Sequence, residues 1–364
     1  MTKLYISTDL GVKSSGGDVT KKELEALRRL DNDVIVLDYN DIHPVAYGLP
    51  DIPFLIDYLT MEKLSKIDLA NIDLAHMYGG SYTQTVRFLK SKGIKTTQSM
   101  EMHDRKISIE ECEKLGIKFP FNYVSDDILW NMLIGTIREV DILMTAGSTP
   151  KQSILRELRN EYESKRCGRV EIMPHGCDVP DKKDIEPLPE QFNVGYLGAV
   201  GPDKGLIYLI QAWSMLNYND STLIFAGNQT EYLPIFIRQY ANGGRYHVMG
   251  WVEKVSQLYN RCSIYVQPSA TEGFGIEVPE AMGHERPVIV SNGAGAADCV
   301  TDYVDGFVVP KRDPKAIAEK IDWFKSHPKE LREMGLRARE KSLSYSWERI
   351  QQRYINLWKS LLDK

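Results

Sequence analysis

One pattern constrains this chain more than any other: a short apolar run, a glycine-rich turn and an amphipathic helix, set out twice. The first instance is KLYIST (3–8) leading into GVKSSGGD (11–18), with Leu24, Leu27 and Leu30 on one face of the helix that follows. The second is FNVGYLGAVG (192–201), followed by a helix over 204–217. After the first start, apolar runs at 33–38, 72–78, 93–104, 140–147 and 170–176 predict strands, the run at 93–104 ending in a polar loop, with helices near 81–92 and 150–164. After the second, strands are predicted at 221–227, 246–252, 262–269, 287–292 and 306–310, with helices near 230–242 and over 313–326. Strands that alternate with helices form parallel sheets covered on both faces. The chain therefore reads as two wound α/β halves.

The boundary between them is visible in CDVPDKKDIEPLPEQ (177–191), where three prolines and a run of charges leave little to pack. A length of 364 residues suits two domains. The expected division is 1–185, 190–345 and a final helix at 346–364. That helix carries Trp347, Ile350, Tyr354, Leu357, Trp358 and Leu361 on one stripe, which must bury against something. Its own domain and the first domain are both open to it, and the sharper expectation is that it braces the first.

Composition excludes several classes. There are 45 Lys+Arg against 50 Asp+Glu, a net charge of −5, which is not the concentrated positive field of a nucleic-acid binder. No apolar run is long enough to span a membrane. The start MTKLYISTDL lacks the apolar core of a secretion signal. The five cysteines, Cys112, Cys167, Cys177, Cys262 and Cys299, show no C-x-x-C spacing and read as reduced thiols rather than a metal site. The expected location is the cytoplasm.

In open parallel sheets, ligands sit at the carboxyl ends of the strands, where glycine turns expose backbone N–H groups to anions. The segment QPSATEGFGIEVPEAMGHERPVIV (267–290) follows such a strand. Glu272 lies on its glycine turn and Glu280 at the start of a helix opened by Pro279, eight positions on. The segment resembles the Glu-x7-Glu signature of the retaining GT-B glycosyltransferases of family 4, the group 1 transferases. The resemblance runs through nearly the whole chain. MPHGCD (173–178), PDKG (202–205), MGWVEKVSQLYNRCSIYVQPS (249–269), SNGAGAADCVTDYVDGFVVP (291–310) and SWERI (346–350) match further family motifs in order.

The resemblance implies a GT-B fold: two Rossmann-like parallel-sheet domains facing a central cleft, with the last helix crossing back to the first. It implies that the second domain holds a nucleotide sugar and the first an acceptor. It also carries roles to matching residues. Glu280 would accept hydrogen bonds from the ribose diol, a task suited to the two oxygens of a carboxylate. Glu272 would contact hydroxyls of the transferred sugar, beside Gly273 and Phe274. Gly275 and Ile276 would offer backbone N–H groups, and Lys204 would neutralise the departing diphosphate. Gly16 and Gly17 match the first-domain glycine loop that approaches the phosphate. His103, in MEMHD, matches a histidine near the donor sugar and acceptor. Val252 lies in the stretch Gly250 to Glu253, where the base would be read. Beside these stand plainer readings: a helix-dipole charge for Glu280, a surface lysine for Lys204, ordinary turns for the glycines, and a core or loop residue for His103. His76, at another strand end, is open between site and core, and His175 reads as structural.

Two positions depart from the pattern. Gly198 and Ala199 stand where many members carry an Arg before the Lys, and Asp298 replaces the glutamate of G-G-x-x-E. The resemblance thus implies transfer of a hexose-type sugar from a UDP or GDP sugar to a glycan, lipid or small-molecule acceptor, with no metal or other cofactor. A silent sugar-nucleotide-binding subunit and a nucleotide-sugar epimerase are the alternatives. Six Lys+Arg against three Asp+Glu over 151–169 raise peripheral contact with the inner membrane face as a further expectation.

Overall fold

A computed structural model describes residues 1–7, 15–38, 53–101, 103–116, 127–158, 167–228 and 232–363. In chain order its strands are β1 (Thr2–Ser7), β2 (Val34–Leu37), β3 (Ile72–Tyr78), β4 (Lys95–Met100), β5 (Ile142–Thr145), β6 (Arg169–Ile172), β7 (Asn193–Leu197), β8 (Thr222–Ala226), β9 (Tyr246–Gly250), β10 (Ile264–Gln267), β11 (Val288–Ser291) and β12 (Gly306–Val309). Between them run α1 (Ser15–Leu30), α2 (Pro53–Leu64), α3 (Thr83–Ser91), α4 (Arg105–Leu115), α5 (Asp127–Glu139), α6 (Ser148–Glu157), α7 (Leu206–Leu216), α8 (Tyr232–Tyr240), α9 (Ser256–Tyr259), α10 (Glu277–Gly283), α11 (Pro314–Ser326), α12 (Pro328–Ser342) and α13 (Trp347–Leu362).

The strands form two six-stranded sheets, ordered β2-β1-β3-β4-β5-β6 and β12-β11-β10-β7-β8-β9, parallel throughout. Both sheets start at an inner strand, wind outward one way, then return to wind the other. The reversal falls between β1 and β3 in one sheet and between β7 and β10 in the other. Such a switch point opens a crevice at the strands' carboxyl ends. Each sheet carries its own core, one built around Leu4, Ile6, Met77, Leu89, Ile134 and Leu143, the other around Val194, Leu209, Trp213, Phe225, Val266 and Phe307.

The chain divides into a first unit of Met1–Met102, Phe119–Gly176 and Trp347–Lys364, and a second of His103–Lys118 and Cys177–Ser346. The chain leaves the first unit at Gly176, ahead of the proline-rich linker. The polar loop expected after β4 leads into α4, a helix of the second unit that the sequence reading did not predict. Asp104 caps α4, accepting from the backbone N–H of Ile107 at 3.3 Å. Glu111, buried on α4, accepts from the Tyr208 hydroxyl at 2.7 Å and pairs with the Arg312 guanidinium at 2.7 Å. A surface helix with so few apolar positions leaves little periodic signal, and its seat depends on these distant partners.

The last helix packs on α1 within the first unit. Its buried stripe includes Ile350, Tyr354 and Trp358. Polar groups lock it. The Tyr354 hydroxyl donates to Glu23 at 2.6 Å, and Trp358 Nε1 donates to Thr97 Oγ1 at 3.2 Å. His76, in the middle of β3, lies between Glu23 at 3.1 Å and Thr97 at 2.9 Å, and Tyr5 adds a hydroxyl to Glu23 at 3.3 Å. His76 and Glu23 are 0% exposed. Of the two readings open for His76, the structure takes the core one.

Gly16 and Gly17 stand in the first turn of α1 rather than in a loop ahead of it. Ser15 already begins the helix, so the glycine pair supplies helix rather than turn. Asp18 is correspondingly inside the first turn, paired with Lys21 at 3.2 Å. The preceding residues of the predicted loop lie outside the described residues. Among the described residues no helix is long and apolar enough to cross a membrane.

Candidate active site

The site lies in the second unit, where β7 and β10 are neighbours on either side of the chain reversal. β7 runs out through Gly198 into a 3₁₀ turn, Pro202–Lys204. β10 runs out through Pro268 and Ser269 to Glu272. Two loops that leave adjacent parallel strands in the same direction meet beyond the sheet. They are stitched together by Ala270 N–H donating to Asp203 O at 2.8 Å. Gly205 makes this approach possible. It holds φ +69°, and a Cβ there would stand 2.1 Å from the Pro268 carbonyl oxygen.

Lys204 and Glu272 meet across this seam as an ion pair. His103, at the head of α4, joins them. Its Nδ1 lies 2.8 Å from Asp203 Oδ2 and its Nε2 lies 3.5 Å from Glu272 Oε1. Its neighbour anchors the segment, Asp104 N–H donating to Thr271 Oγ1 at 2.7 Å. The four groups alternate in sign when the imidazole is protonated: Asp203, His103, Glu272, Lys204. All retain some exposure, from 10% for Glu272 to 26% for His103.

The electrostatics follow from this alternation. Burial opposes charge on the Lys204 amine, but the carboxylates of Glu272 and Asp203 outweigh it and raise the amine above its ordinary value. Burial also opposes a proton on His103, and the Asp203 hydrogen bond with the charge of Glu272 raises it nonetheless. Burial would push the Asp203 carboxyl up, but His103 and Lys204 hold it below the usual carboxylate range.

The turn after Glu272 is braced from below. Glu272 N–H donates to Gly293 O at 3.0 Å, Gly295 N–H to Glu272 O at 3.2 Å and Ala296 N–H to Phe274 O at 2.8 Å. Phe274 is buried, anchoring the turn. Gly275 takes φ +94°, and with Gly273 and Ile276 it leads the chain into α10. Glu280 lies half-buried on the first turn of α10, accepting from the Tyr259 hydroxyl at 3.4 Å. Burial and the nearby charges of Glu277 and Asp178 push its carboxyl up to about 8. Val252 lies two residues past the end of β9, half-buried, at the carboxyl side of the same sheet.

The structure thus brings His103, Lys204 and Glu272 into one cluster, and sets Gly273, Phe274, Gly275, Ile276 and Glu280 along the chain that leaves it. Gly16 and Gly17 belong to the first unit. Sequence reasoning passed over Asp203 and Thr271. Asp203 fills a variable place of the x-x-K-G motif, and the clue available was its position beside Lys204. Thr271 offered no clue beyond adjacency to Glu272.

What the cluster can do chemically is bind a polyol through carboxylates while a cation meets an anionic group. The two-sheet architecture is the GT-B fold. Residues 178–341, all within this second unit, match the family model of glycosyl transferases group 1. Residues of this chain are 37% identical over 145 positions to the capsular polysaccharide biosynthesis glycosyltransferase CapM of Staphylococcus aureus. That match spans 37% of this chain and 37% of the relative, so the chain covers well under two thirds of that relative's length. Sucrose-phosphate synthase from Thermosynechococcus elongatus superimposes with TM-score 0.76 at 18% identity, over 100% of both chains. Anabaena HepE, in a complex with UDP-glucose, superimposes with TM-score 0.69 at 14% identity, over 98% of this chain and 99% of that one.

Proposed function

We propose that this protein is a retaining glycosyltransferase that moves a hexose-type sugar from a UDP or GDP sugar to a glycan, lipid or small-molecule acceptor. The observation that carries the reading is the meeting of Lys204, Glu272 and His103 at the carboxyl ends of β7 and β10, with Glu280 eight positions past Glu272. Glu280 takes the ribose hydroxyls of the donor. Glu272 takes hydroxyls of the sugar, and Lys204 turns from Glu272 to the diphosphate. Negative charge builds on the diphosphate as the glycosidic bond lengthens, so a fixed ammonium there favours the transition state over the ground state. The reading gives this task to Lys204 and to backbone N–H groups of the turn at Gly275 and Ile276, with no metal ion. His103 serves the reacting end of the sugar through Nε2. Binding of UDP-glucose by Anabaena HepE supports a nucleotide-sugar donor here.

The test is a thermal-shift panel of UDP, GDP, ADP and CDP and their common sugars on the wild type and Glu280→Ala. A ligand at 100 times its Kd stabilises by about 2.7 kcal/mol. A rise with one nucleotide, lost in Glu280→Ala, names the base and supports the ribose role. Product formation from the matching labelled sugar then identifies the acceptor. Saturable binding with no turnover across a broad acceptor panel would instead make the chain a silent binding subunit. That outcome gains weight from Ala199, which stands where many relatives place a cation.

A further inference from the structure

We infer that Asp203 is a positioning residue for His103: it grips the imidazole at Nδ1, so that Nε2 faces Glu272 and the reacting sugar. Three independent observations support it. The first is the 2.8 Å contact between Asp203 Oδ2 and His103 Nδ1, with Nε2 on the opposite side of the ring 3.5 Å from Glu272 Oε1. The second is the anchoring of Asp203 itself. Its carbonyl oxygen accepts from the N–H groups of Ala270 at 2.8 Å and Thr271 at 3.3 Å, the two residues that precede Glu272. The carboxylate that grips His103 and the carboxylate that His103 faces are therefore held by one stretch of backbone. The third is Gly201. A Cβ there would lie 2.7 Å from Asp203 Oδ1, so the absence of a side chain leaves room for the carboxylate where it sits.

The chemistry follows from the two ring nitrogens. A carboxylate at Nδ1 keeps a proton there in both charge states of the ring, so the proton that comes and goes is the one on Nε2. An imidazole free to rotate or to exchange tautomers would present that proton to the sugar only part of the time. Asp203 does not touch the sugar in this scheme; it acts through His103. The charged groups acting on the ring are Asp203 and Lys204 from the 3₁₀ turn and Glu272 from the loop after β10; of the charged residues next to it in the chain, Asp104 caps α4 through Ile107 N–H. Cys112, on the same helix, is pushed up to about 11 by burial, so its thiol stays neutral. The inference rests on the transfer reading for the purpose of the grip, but not for its existence.

The experiment separates the two. The pH titration of the His103 ring is followed by NMR in the wild type, Asp203→Asn, Asp203→Glu and Gly201→Ala, each checked for folding by circular dichroism. The wild-type midpoint is expected above the ordinary histidine value and should fall by about one pH unit in Asp203→Asn. It should recover in part in Asp203→Glu. In Gly201→Ala all charges remain but the carboxylate is displaced, so a smaller fall is expected, and this variant keeps the test intact if Asp203→Asn fails to fold. In turnover, Asp203→Asn should lower kcat about ten-fold with donor KM changed less than about two-fold. The limb of the kcat profile that His103 controls should move down with the NMR midpoint. A midpoint unmoved in folded Asp203→Asn and Gly201→Ala overturns the inference whatever the turnover shows. A midpoint that moves while no variant, wild type included, transfers sugar leaves the grip standing and removes the transferase reading.

Discussion

Each unit holds a histidine against carboxylate oxygen at about the same distance, 3.1 Å for His76 with Glu23 and 2.8 Å for His103 with Asp203. The surroundings differ completely. Glu23 and His76 are 0% exposed and enclosed by Tyr5, Tyr354, Thr97 and Trp358, and every oxygen of Glu23 is engaged from within. His103 and Asp203 are 26% and 21% exposed, and the ring's second nitrogen looks toward another acid at 3.5 Å. The first pair is sealed and serves to fasten α13 onto its unit. The second is partly exposed and shared between two acids. Residue types alone do not distinguish the two; burial does.

That contrast can be broken by measurement. The largest effect is expected for Glu23→Ala, which leaves two tyrosine hydroxyls and an imidazole buried without their acceptor. Loss of one partner in a buried charged cluster costs about 3–5 kcal/mol, to be read as the shift in a urea unfolding curve. A loss below about 1 kcal/mol would put Glu23 in the same class as exposed carboxylates and dissolve the comparison. Next comes Lys204→Ala. Here stability should change little, because the pair with Glu272 is partly exposed, while kcat/KM falls roughly ten- to a hundred-fold with the donor bound at its cluster. An unchanged rate would remove Lys204 from the chemistry.

A third measurement uses Glu280. Its carboxyl is raised to about 8, so the folded protein favours the protonated form. The stability this contributes is complete below the unfolded carboxylate value and is lost as pH climbs through the folded one. Glu280→Gln, which cannot ionise, should therefore match the wild type near pH 4.5 and exceed it at pH 9. The expected gain in Tm there is about 2–4 °C, alongside loss of the nucleotide response. Equal Tm values at pH 9 would show that the carboxyl ionises freely. The smallest effect is expected at Asp18, an exposed acid paired with Lys21: Asp18→Asn should leave the melting curve in place.

The sheets were legible because parallel strands are buried on both faces and read as continuous apolar runs, as in IDLAHMY at 72–78, which is β3 from end to end. The helices α2, α4, α5 and α12 were not: α4 and α12 are rich in charge, while α2 and α5 are apolar runs that show no strand-and-turn punctuation around them. The site was legible where chemistry is tied to spacing along the chain, as with Glu272, Glu280 and Lys204. It was illegible where the tie is between distant segments. Nothing near Asp203 announces His103, 100 positions earlier, and nothing near Glu111 announces Arg312. The glycine pair 16–17 shows a related ambiguity: two glycines after a strand suit a turn or a helix start, and here they lie in the first turn of α1.

The composition of the first unit from three separate stretches has a consequence for birth on the ribosome. Its final stretch begins at Trp347, whereas the second unit is complete at Ser346. A nascent chain can thus finish its downstream half while its upstream half still waits, with the seat for Ile350, Tyr354 and Trp358 open beside Glu23. Synthesis order and completion order are reversed. A premature stop shortly before Trp347 would spare the second unit and strand the first with an uncovered apolar groove, a ready substrate for chaperones and proteases.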